Sequence, residues 1–196
     1  MTGRKRESQP LQSFERLEFQ ASGSLRLAVV SDTHSAPHPL ARALLAQLRP
    51  DAILHAGDIG ELRVLEELAT VCQVFAVRGN IDARRATLPD VLVLEVGAPE
   101  QLALRLLMLH VGVYGPKLRA EVARKARDAG AAMVVCGHSH IPFIGQDRGI
   151  AIFNPGSVGP RRFSLPIVLG VIDISVTGIQ QCHIDCETGQ PWEPPA

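Results

Sequence analysis

Short apolar runs that each lead into a polar side chain are the feature that most constrains the fold of this chain. The run at 25–31 leads into Asp32, the run at 52–56 into Gly57-Asp58, and the run at 73–77 into the loop that carries Asn80. Between these runs, apolar residues recur at helical spacing within 40–48 and 62–69. Strands that alternate with helices at short intervals are typical of a parallel sheet with helices on its faces. The sequence therefore predicts an α/β protein.

The pattern changes after residue 90. Two strand-like runs, 91–96 and 102–109, are separated by the turn Gly97-Ala98-Pro99-Glu100, and they predict a hairpin. A sheet that contains such a hairpin is mixed rather than purely parallel. A polar-faced helix is predicted over 117–129, closed by Gly130. A second hairpin is predicted near the end of the chain, from 165–175 and 178–185.

The chain has 196 residues, enough for one domain with a full core. We predict that this domain spans 25–186. The polar start predicts a flexible N-terminal extension over 1–24 that docks weakly on the domain, and residues 187–196 are predicted to be a tail that is either disordered or held at the surface through Trp192.

Charge, apolar runs and cysteines narrow the class of partner. Lys+Arg and Asp+Glu both number 20, so bulk charge does not favour nonspecific binding to nucleic acid. No apolar run is long enough to span a bilayer, and the start lacks the apolar stretch of a secretory signal. Four cysteines in a chain this long do not indicate a disulfide framework. We therefore expect a cytoplasmic protein without a membrane partner.

Two histidines in the sequence Gly137-His138-Ser139-His140 follow the apolar run 131–136. A loop directly beyond a strand can aim both imidazoles inward, and neutral imidazole is the commonest metal ligand in proteins. Alone, the pair is equally well explained as two surface histidines in a turn. It gains significance because other candidate ligands also follow apolar runs, namely Asp32, His34, Asp58, Asn80 and His110.

The position and chemistry of these seven side chains indicate a metal centre. In open α/β sheets, ligands collect in the crevice outside the carboxyl ends of the strands. Mixed oxygen and nitrogen donors suit manganese, zinc or iron better than calcium or magnesium. Seven side chains are too many for one ion, so two ions that share a bridging carboxylate are expected. Two ions roughly 3.5–4 Å apart can acidify a water between them and hold an in-line displacement at phosphorus.

The chain resembles the calcineurin-like metallophosphoesterase superfamily over nearly all of 25–185, and within it the small single-domain bacterial and archaeal phosphodiesterases. The resemblance rests on five motifs in order, which are Asp32-Thr33-His34, Gly57-Asp58, Gly79-Asn80-Ile81-Asp82, His110 and Gly137-His138-Ser139-His140. The run Asn154-Pro155-Gly156-Ser157 also matches that subgroup. The resemblance implies a four-layer α-β-β-α sandwich, in which two mixed sheets are flanked by helices.

The resemblance also implies a function. It is that of a dinuclear-metal phosphoesterase, in the first place a phosphodiesterase, in which a metal-bridging hydroxide attacks a small phosphodiester. By position, the first ion would be held by Asp32, His34 and His140. The second ion would be held by Asn80, His110 and His138, and Asp58 would bridge the two ions. Asp58, Asn80 and His110 are thereby expected to be central to catalysis. Manganese is the expected ion, with zinc, iron or nickel as alternatives.

Two positions depart from the motifs of the superfamily. Ile81 stands where many members have a histidine, although the small subgroup often lacks it too. Its absence removes an obvious general acid, so leaving groups of low pKa should be favoured. Gly112 stands where the subgroup often has a second histidine after His110, so one contact to the phosphate is expected to be missing or supplied by another group.

Several alternatives stay open at this point. Asp32, Asp58 and Asn80 could each be a turn residue or a helix N-cap. Arg161 and Arg162 could clamp a substrate phosphate or form a solvated pair. A phosphomonoesterase is an alternative function, and so is a non-catalytic protein-binding scaffold, because a eukaryotic retromer subunit that resembles this fold works mainly in protein assembly. The natural substrate and the oligomeric state are not determined by the sequence.

Overall fold

The computed structural model describes residues 10–194. Its elements in chain order are β1 (Gln12–Glu18), β2 (Ser24–Val30), α1 (Ala41–Leu48), β3 (Ala52–His55), α2 (Arg63–Ala69), β4 (Gln73–Ala76), β5 (Val91–Ala98), β6 (Gln101–Leu109), β7 (Val113–Tyr114), β8 (Lys117–Leu118), α3 (Ala120–Asp128), β9 (Met133–Val135), β10 (Phe143–Asp147), β11 (Ile150–Asn154), β12 (Val168–Ser175), β13 (Gly178–Asp185) and β14 (Pro191–Trp192). No helix within 10–194 has the length and apolar character needed to cross a bilayer.

Two six-stranded mixed sheets contain most of these strands. The first has the order β1-β5-β6-β9-β11-β10, and the second has the order β14-β13-β12-β2-β3-β4. Strands β2, β3 and β4 are parallel neighbours, as the alternation of strands and helices predicts. The hairpins β5–β6 and β12–β13 are antiparallel, which confirms both predicted hairpins and the mixed character of the sheets.

Alternation along the strands builds the four layers. Leu27 and Val29 on β2 pack in the core between the two sheets, whereas Ala28 and Val30 pack with α1 and α2 on the outer face. The side chains of β5 alternate in the same way between the inter-sheet core and α3. Because neighbouring side chains on a strand point to opposite faces, each sheet buries one face against the other sheet and one against helices. The predicted α-β-β-α sandwich is confirmed.

The predicted flexible extension is wrong for residues 12–18, which form the edge strand β1. This strand pairs in parallel with β5 along its whole length. The backbone N–H of Leu11 donates to the Asp90 carboxylate at 2.8 Å, and that of Phe19 donates to the carbonyl of Gly97 at 2.9 Å. An edge strand leaves most of its side chains in solvent, so its polar sequence resembles that of a loop. Residues 1–9 lie outside the described part of the chain.

Two further boundaries differ from the prediction. The helix expected over 117–129 begins only at Ala120, because Val113–Tyr114 and Lys117–Leu118 pair as a small hairpin around Gly115. Within the predicted tail, Pro191–Trp192 pairs with β13. The indole of Trp192 meets the imidazole of His183 edge-on, which agrees with the surface attachment that was one of the two expectations.

Replacing Leu17 tests whether β1 belongs to the folded core. This side chain is half-buried and packs against the core between the sheets. We expect Leu17→Ala to lower the free energy of unfolding by about 1 kcal/mol, since the leucine loses only part of a buried surface. Urea unfolding measures the change, and Glu15→Ala, at an exposed position of the same strand, should leave stability unaltered. Equal stability of both variants and the wild type would contradict a packed β1.

His55 links the end of β3 to the loop that follows β2. The hydroxyl of Thr33 donates to the carbonyl of Ile59 at 3.0 Å, so it accepts from His55 Nε2 at the same distance. The backbone N–H of Gly57 donates to His55 Nδ1 at 3.3 Å. The imidazole is fully buried and neutral, and this burial lowers its pKa from 6.5 to about 4. His55 is therefore structural, as the sequence predicts.

This buried imidazole predicts a pH-dependent stability. In the unfolded chain, the His55 imidazole is protonated near pH 6.5, whereas in the folded protein it is protonated only near pH 4. The free energy of unfolding therefore falls as the pH drops through this window. Between pH 7 and pH 5 the loss attributable to His55 should be about 2 kcal/mol. Urea unfolding in chelating buffer at both pH values should show a smaller fall for His55→Gln than for the wild type. Identical pH dependence in the two proteins would contradict a neutral buried imidazole.

Candidate metal centre

Six of the seven predicted ligands converge beyond the ends of β2, β3, β6 and β9. They form two groups of three, and within each group the potential ligand atoms all lie within 4.8 Å of one another: Asp32, His34 and His140, and Asp58, His110 and His138. The two strands β2 and β3 that precede the aspartates are parallel neighbours in one sheet, whereas β6 and β9 are parallel neighbours in the other. The site therefore lies beyond the carboxyl ends of inner strands from both sheets.

Left-handed backbone conformations are concentrated at these ligand positions. Five of the six residues have a positive φ, which is 55° at Asp32, 45° at His34, 54° at Asp58, 70° at His138 and 58° at His140. Each such residue costs on the order of 1–3 kcal/mol and persists only where the surrounding structure over-determines it. The chain turns sharply at the strand ends in this way, and the turns direct the ligand side chains into one crevice.

The Asp32 carboxylate has one oriented oxygen and one free oxygen. Its Oδ2 accepts hydrogen bonds from the Ser31 hydroxyl at 2.5 Å and from the backbone N–H of His138 at 2.9 Å. Its Oδ1 is buried without a hydrogen-bond partner and lies 3.3 Å from His140 Nε2. Burial raises the pKa of Asp32, but the nearby His140 ring and the Ser31 hydroxyl together outweigh this effect and hold the pKa below its usual value. The free oxygen is therefore that of an ionised carboxylate.

His110 presents a lone pair to the crevice. Its Nδ1 lies 2.8 Å from the carbonyl of Ala56, which can only accept, so Nδ1 carries the proton in the neutral ring. The other nitrogen, Nε2, is buried without a hydrogen-bond partner and lies 3.2 Å from Asp58 Oδ1. Two ligand atoms of one ion at 2.0–2.2 Å would be about 3–3.5 Å apart. The separation and the unpartnered atoms fit a divalent cation between them.

Asp58 lies between the two groups. Its Oδ1 faces His110 Nε2, whereas its Oδ2 lies 3.8 Å from His34 Nε2. The backbone N–H of Ile81 donates to Oδ1 at 3.2 Å and fixes the orientation of the carboxylate. One oxygen therefore faces each group, which is the arrangement that a bridging ligand requires. Helix α2 begins only at Arg63, with Leu62 as its N-cap, so Asp58 does not cap it.

The imidazoles of His34 and His138 are held in the neutral form. Partial burial lowers the pKa of both rings, and the positive charge of Arg162 lowers that of His34 further. The neighbouring His110 has the same effect on His138. A neutral imidazole has the free lone pair that a metal needs, so no proton has to be displaced from these rings at neutral pH.

A family model for the calcineurin-like phosphoesterase superfamily domain matches residues 25–177, which is most of the chain. The chain belongs to this superfamily. A probable metallophosphoesterase of Methanocaldococcus jannaschii is 29% identical over 164 residues, which cover 82% of each chain. The phosphodiesterase YfcE of Escherichia coli is 27% identical over 175 residues, covering 79% of this chain and 91% of YfcE.

The fold of the superfamily is also found in solved structures. Vacuolar Protein Sorting 29 from Cryptosporidium parvum superposes with a TM-score of 0.70 and 16% identity, covering 86% of this chain and 95% of that one. At this identity the likeness concerns the fold alone. It agrees with the two mixed sheets and three helices described above and carries no information about activity.

The seventh predicted ligand, Asn80, lies in the loop that contacts Asp58. Its side chain is exposed, whereas both neighbours touch Asp58: Ile81 through its N–H, and Gly79 through its backbone. A Cβ on Gly79 would lie 2.0 Å from the backbone nitrogen of Asp58. The loop is thus held against the bridging carboxylate. That Asn80 binds the second ion stays a prediction from the superfamily motif.

Gly112 departs from the superfamily pattern for a local packing reason. A Cβ at this position would lie 2.7 Å from Cys136 Cβ and 2.9 Å from its sulfur. The cysteine thiol is fully buried, and this burial raises its pKa to about 12. Any side chain at Gly112 would therefore displace the strand that leads to His138. The contact that a second histidine would make is absent here because there is no room for its Cβ.

Asp82 is a supporting residue that sequence reasoning passed over. Its carboxylate accepts hydrogen bonds from the backbone N–H groups of Ile59, Gly60 and Gly79 at 3.1, 2.8 and 2.8 Å. These hydrogen bonds tie the loop after β3, which contains Asp58, to the loop after β4. An aspartate in a glycine-rich loop commonly accepts from nearby backbone, which was the available signal.

Asn154 gives the matching support to the two histidines of the last motif. Its side-chain amide donates to the carbonyl of Gly137 at 2.9 Å and to the Ser139 hydroxyl at 3.1 Å. The side-chain oxygen of Asn154, Oδ1, accepts a hydrogen bond from the backbone N–H of Gly156 at 3.0 Å. The Asn154-Pro155-Gly156-Ser157 run of the superfamily subgroup thus holds the loop that presents His138 and His140.

Removing the Ser31 hydroxyl tests how the first ligand group is oriented. Ser31→Ala leaves Asp32 Oδ2 with only the His138 N–H, so the carboxylate is less firmly directed. We expect manganese affinity, measured by calorimetry, to fall about 10–100-fold, the usual effect of losing a residue that supports a metal ligand. Ser13→Ala, in the edge strand β1, is the matched control and should leave affinity unchanged. Equal affinity in Ser31→Ala and the wild type would contradict this role.

Proposed function

We propose that the protein is a dinuclear metal-dependent phosphodiesterase that cleaves a small phosphodiester. The observation that carries this proposal is the pair of buried, unpartnered ligand atoms, Asp32 Oδ1 and His110 Nε2, one in each ligand group. Each lies 3.2–3.3 Å from a second potential ligand atom, a separation that fits two ligands of one cation. The curated relatives, a probable metallophosphoesterase and a phosphodiesterase, support the same activity.

The residues of this chain have distinct roles in the proposed reaction. Asp32, His34 and His140 would hold one ion, Asn80, His110 and His138 would hold the other, and Asp58 would be shared between them. When bound, the two cations lower the pKa of a water and polarise the phosphoryl oxygens. The Ser31 hydroxyl, the Ala56 carbonyl and the Ile81 N–H keep the ligands oriented before substrate arrives. Such preorganisation lowers the cost of reaching the transition state.

The side chain at position 81 bears on the choice of substrate. Ile81 is 52% exposed and has no ionisable group to protonate the leaving oxygen. Departure of an alcohol without a proton donor is faster when the alcohol has a low pKa. We therefore propose that the enzyme prefers diesters with acidic leaving groups, such as aryl esters, over esters of simple alcohols.

The donor set favours some ions over others. Two carboxylates and one amide together with four imidazoles suit manganese, which we propose as the working ion, with zinc, iron or nickel as alternatives.

The four cysteines are free in the structure, and we propose that the protein works in the reducing environment of the cytoplasm.

A metal-dependent assay tests the proposed function. We expect the protein with added manganese to hydrolyse bis(p-nitrophenyl) phosphate faster than the monoester p-nitrophenyl phosphate. In Asp58→Asn, the bridging ligand loses its charge and one donor oxygen, so turnover should fall by a factor on the order of 10² or more. Asp128→Asn, at the exposed end of α3, removes the same charge and should retain full turnover.

Three results would contradict parts of this proposal. Unchanged turnover in purified Asp58→Asn would refute the dinuclear centre. A faster reaction with the monoester would favour the phosphomonoesterase. A protein that binds manganese by calorimetry yet hydrolyses neither ester would favour the non-catalytic scaffold. Fold similarity to Vacuolar Protein Sorting 29 does not decide between these, because one fold can serve different functions.

A further inference from the structure

Arg162 lies at the edge of the first ligand group. Its guanidinium is 3.1 Å from His34 Nε2, and that same nitrogen is 3.8 Å from Asp58 Oδ2. No carboxylate forms an ion pair with Arg162 among residues 10–194, and its side chain is exposed. An arginine keeps its charge at any physiological pH. A positive group without an acidic partner therefore lies beside the ligands of the proposed centre.

Its neighbour Arg161 is engaged elsewhere. The Arg161 guanidinium pairs with Glu187 and donates to the carbonyl of Leu165 at 2.8 Å. These contacts fasten the loop to the turn after β13. The sequence does not distinguish the two adjacent arginines as candidates for binding a substrate phosphate. In the structure their roles differ, because Arg161 holds the loop and Arg162 points toward the proposed metal ligands.

The base of this loop is locked to the first ligand loop. The backbone N–H of Val158 donates to the carbonyl of Ser31 at 3.2 Å, and the Ser157 hydroxyl donates to the carbonyl of Asp32 at 3.2 Å. A Cβ on Gly159 would lie 2.1 Å from that same Asp32 oxygen. Only Pro160 and Arg161 separate this anchor from Arg162, so the backbone of Arg162 stays close to the crevice.

We propose that Arg162 binds the non-bridging oxygens of the phosphate group of the substrate, at the edge of the crevice next to His34. The inference rests on the proposed function for the identity of the substrate. Its chemistry is that of a guanidinium fork, which matches two phosphate oxygens at once. Ile81 and Gly112, which lie close in sequence to the proposed ligands Asn80 and His110, carry no charge, so Arg162 supplies a positive group that these positions do not.

This assignment implies an exchange of partners. Without an anion, the guanidinium rests against His34 Nε2, one of the proposed ligand atoms. With an ion bound at that lone pair, His34 would offer the guanidinium no acceptor, and the guanidinium could donate to a phosphate oxygen instead.

Three variants compared with the manganese-loaded wild type test the proposal. Arg162→Ala removes the guanidinium, Arg162→Lys keeps the charge without the fork, and Arg127→Ala removes one charge from α3 as a matched control. The probes are inorganic phosphate, measured by calorimetry, and bis(p-nitrophenyl) phosphate, measured as separate KM and kcat values. Manganese affinity is measured for every variant in the absence of phosphate.

We expect Arg162→Ala to weaken phosphate binding and raise KM for the diester by about 10–100-fold, the range for a lost hydrogen bond to a charged group. Arg162→Lys should recover part of this loss, whereas Arg127→Ala should match the wild type. Manganese affinity should not fall in any of the three variants, since Arg162 is not a ligand and its removal frees His34 Nε2.

Each other outcome has a defined meaning. Unchanged phosphate binding in Arg162→Ala, or no phosphate binding by the loaded wild type, overturns the proposal. Stronger manganese binding in Arg162→Ala with unchanged phosphate binding overturns it too, and identifies the arginine as a group that only fills the metal-free site. If phosphate binding depends on Arg162 but no diester is hydrolysed, the phosphate contact is supported and the proposed phosphodiesterase function fails.

Discussion

Buried potential ligand atoms without a hydrogen-bond partner are the constraint on which the candidate site depends. Asp32 Oδ1 lies 3.3 Å from His140 Nε2, and Asp58 Oδ1 lies 3.2 Å from His110 Nε2. Buried unpartnered acceptors are costly, and the strained backbone at five ligand positions adds to that cost. Such an arrangement is stable when the binding free energy of a ligand offsets its cost. In this superfamily the fitting ligand is a divalent cation.

The scaffold that holds these atoms is built from short hydrogen-bonded links between loops. Asp82 joins the loops on either side of Asp58, Asn154 holds the Gly137–His140 loop, and Ser31 orients Asp32. The links made by Asp82 and Asn154 join segments from different strands, and the strands are fixed by burial on both faces. Rigid sheets therefore determine where the loops start, and a few polar side chains determine where they point.

Sequence reasoning selected six side chains that the structure brings together, because candidate metal ligands are limited to a few residue types and follow apolar runs here. It also predicted both hairpins and the structural role of His55, whose neighbours in sequence are apolar. It missed β1, since an edge strand with exposed polar side chains has no apolar periodicity. It also missed Asp82, whose partners are backbone N–H groups that any residue type can supply.

The sequence by itself determined the layered α/β fold and the chemistry of the donors, because burial sets the alternation of apolar residues and metals accept few side chains. Only the tertiary structure decided which oxygen of Asp32 is free, which nitrogen of His110 carries the proton, and which of two adjacent arginines faces the ligands. The physical reason is that these properties depend on atoms brought together from distant loops. Distances of about 3 Å between such atoms are not encoded in any local pattern.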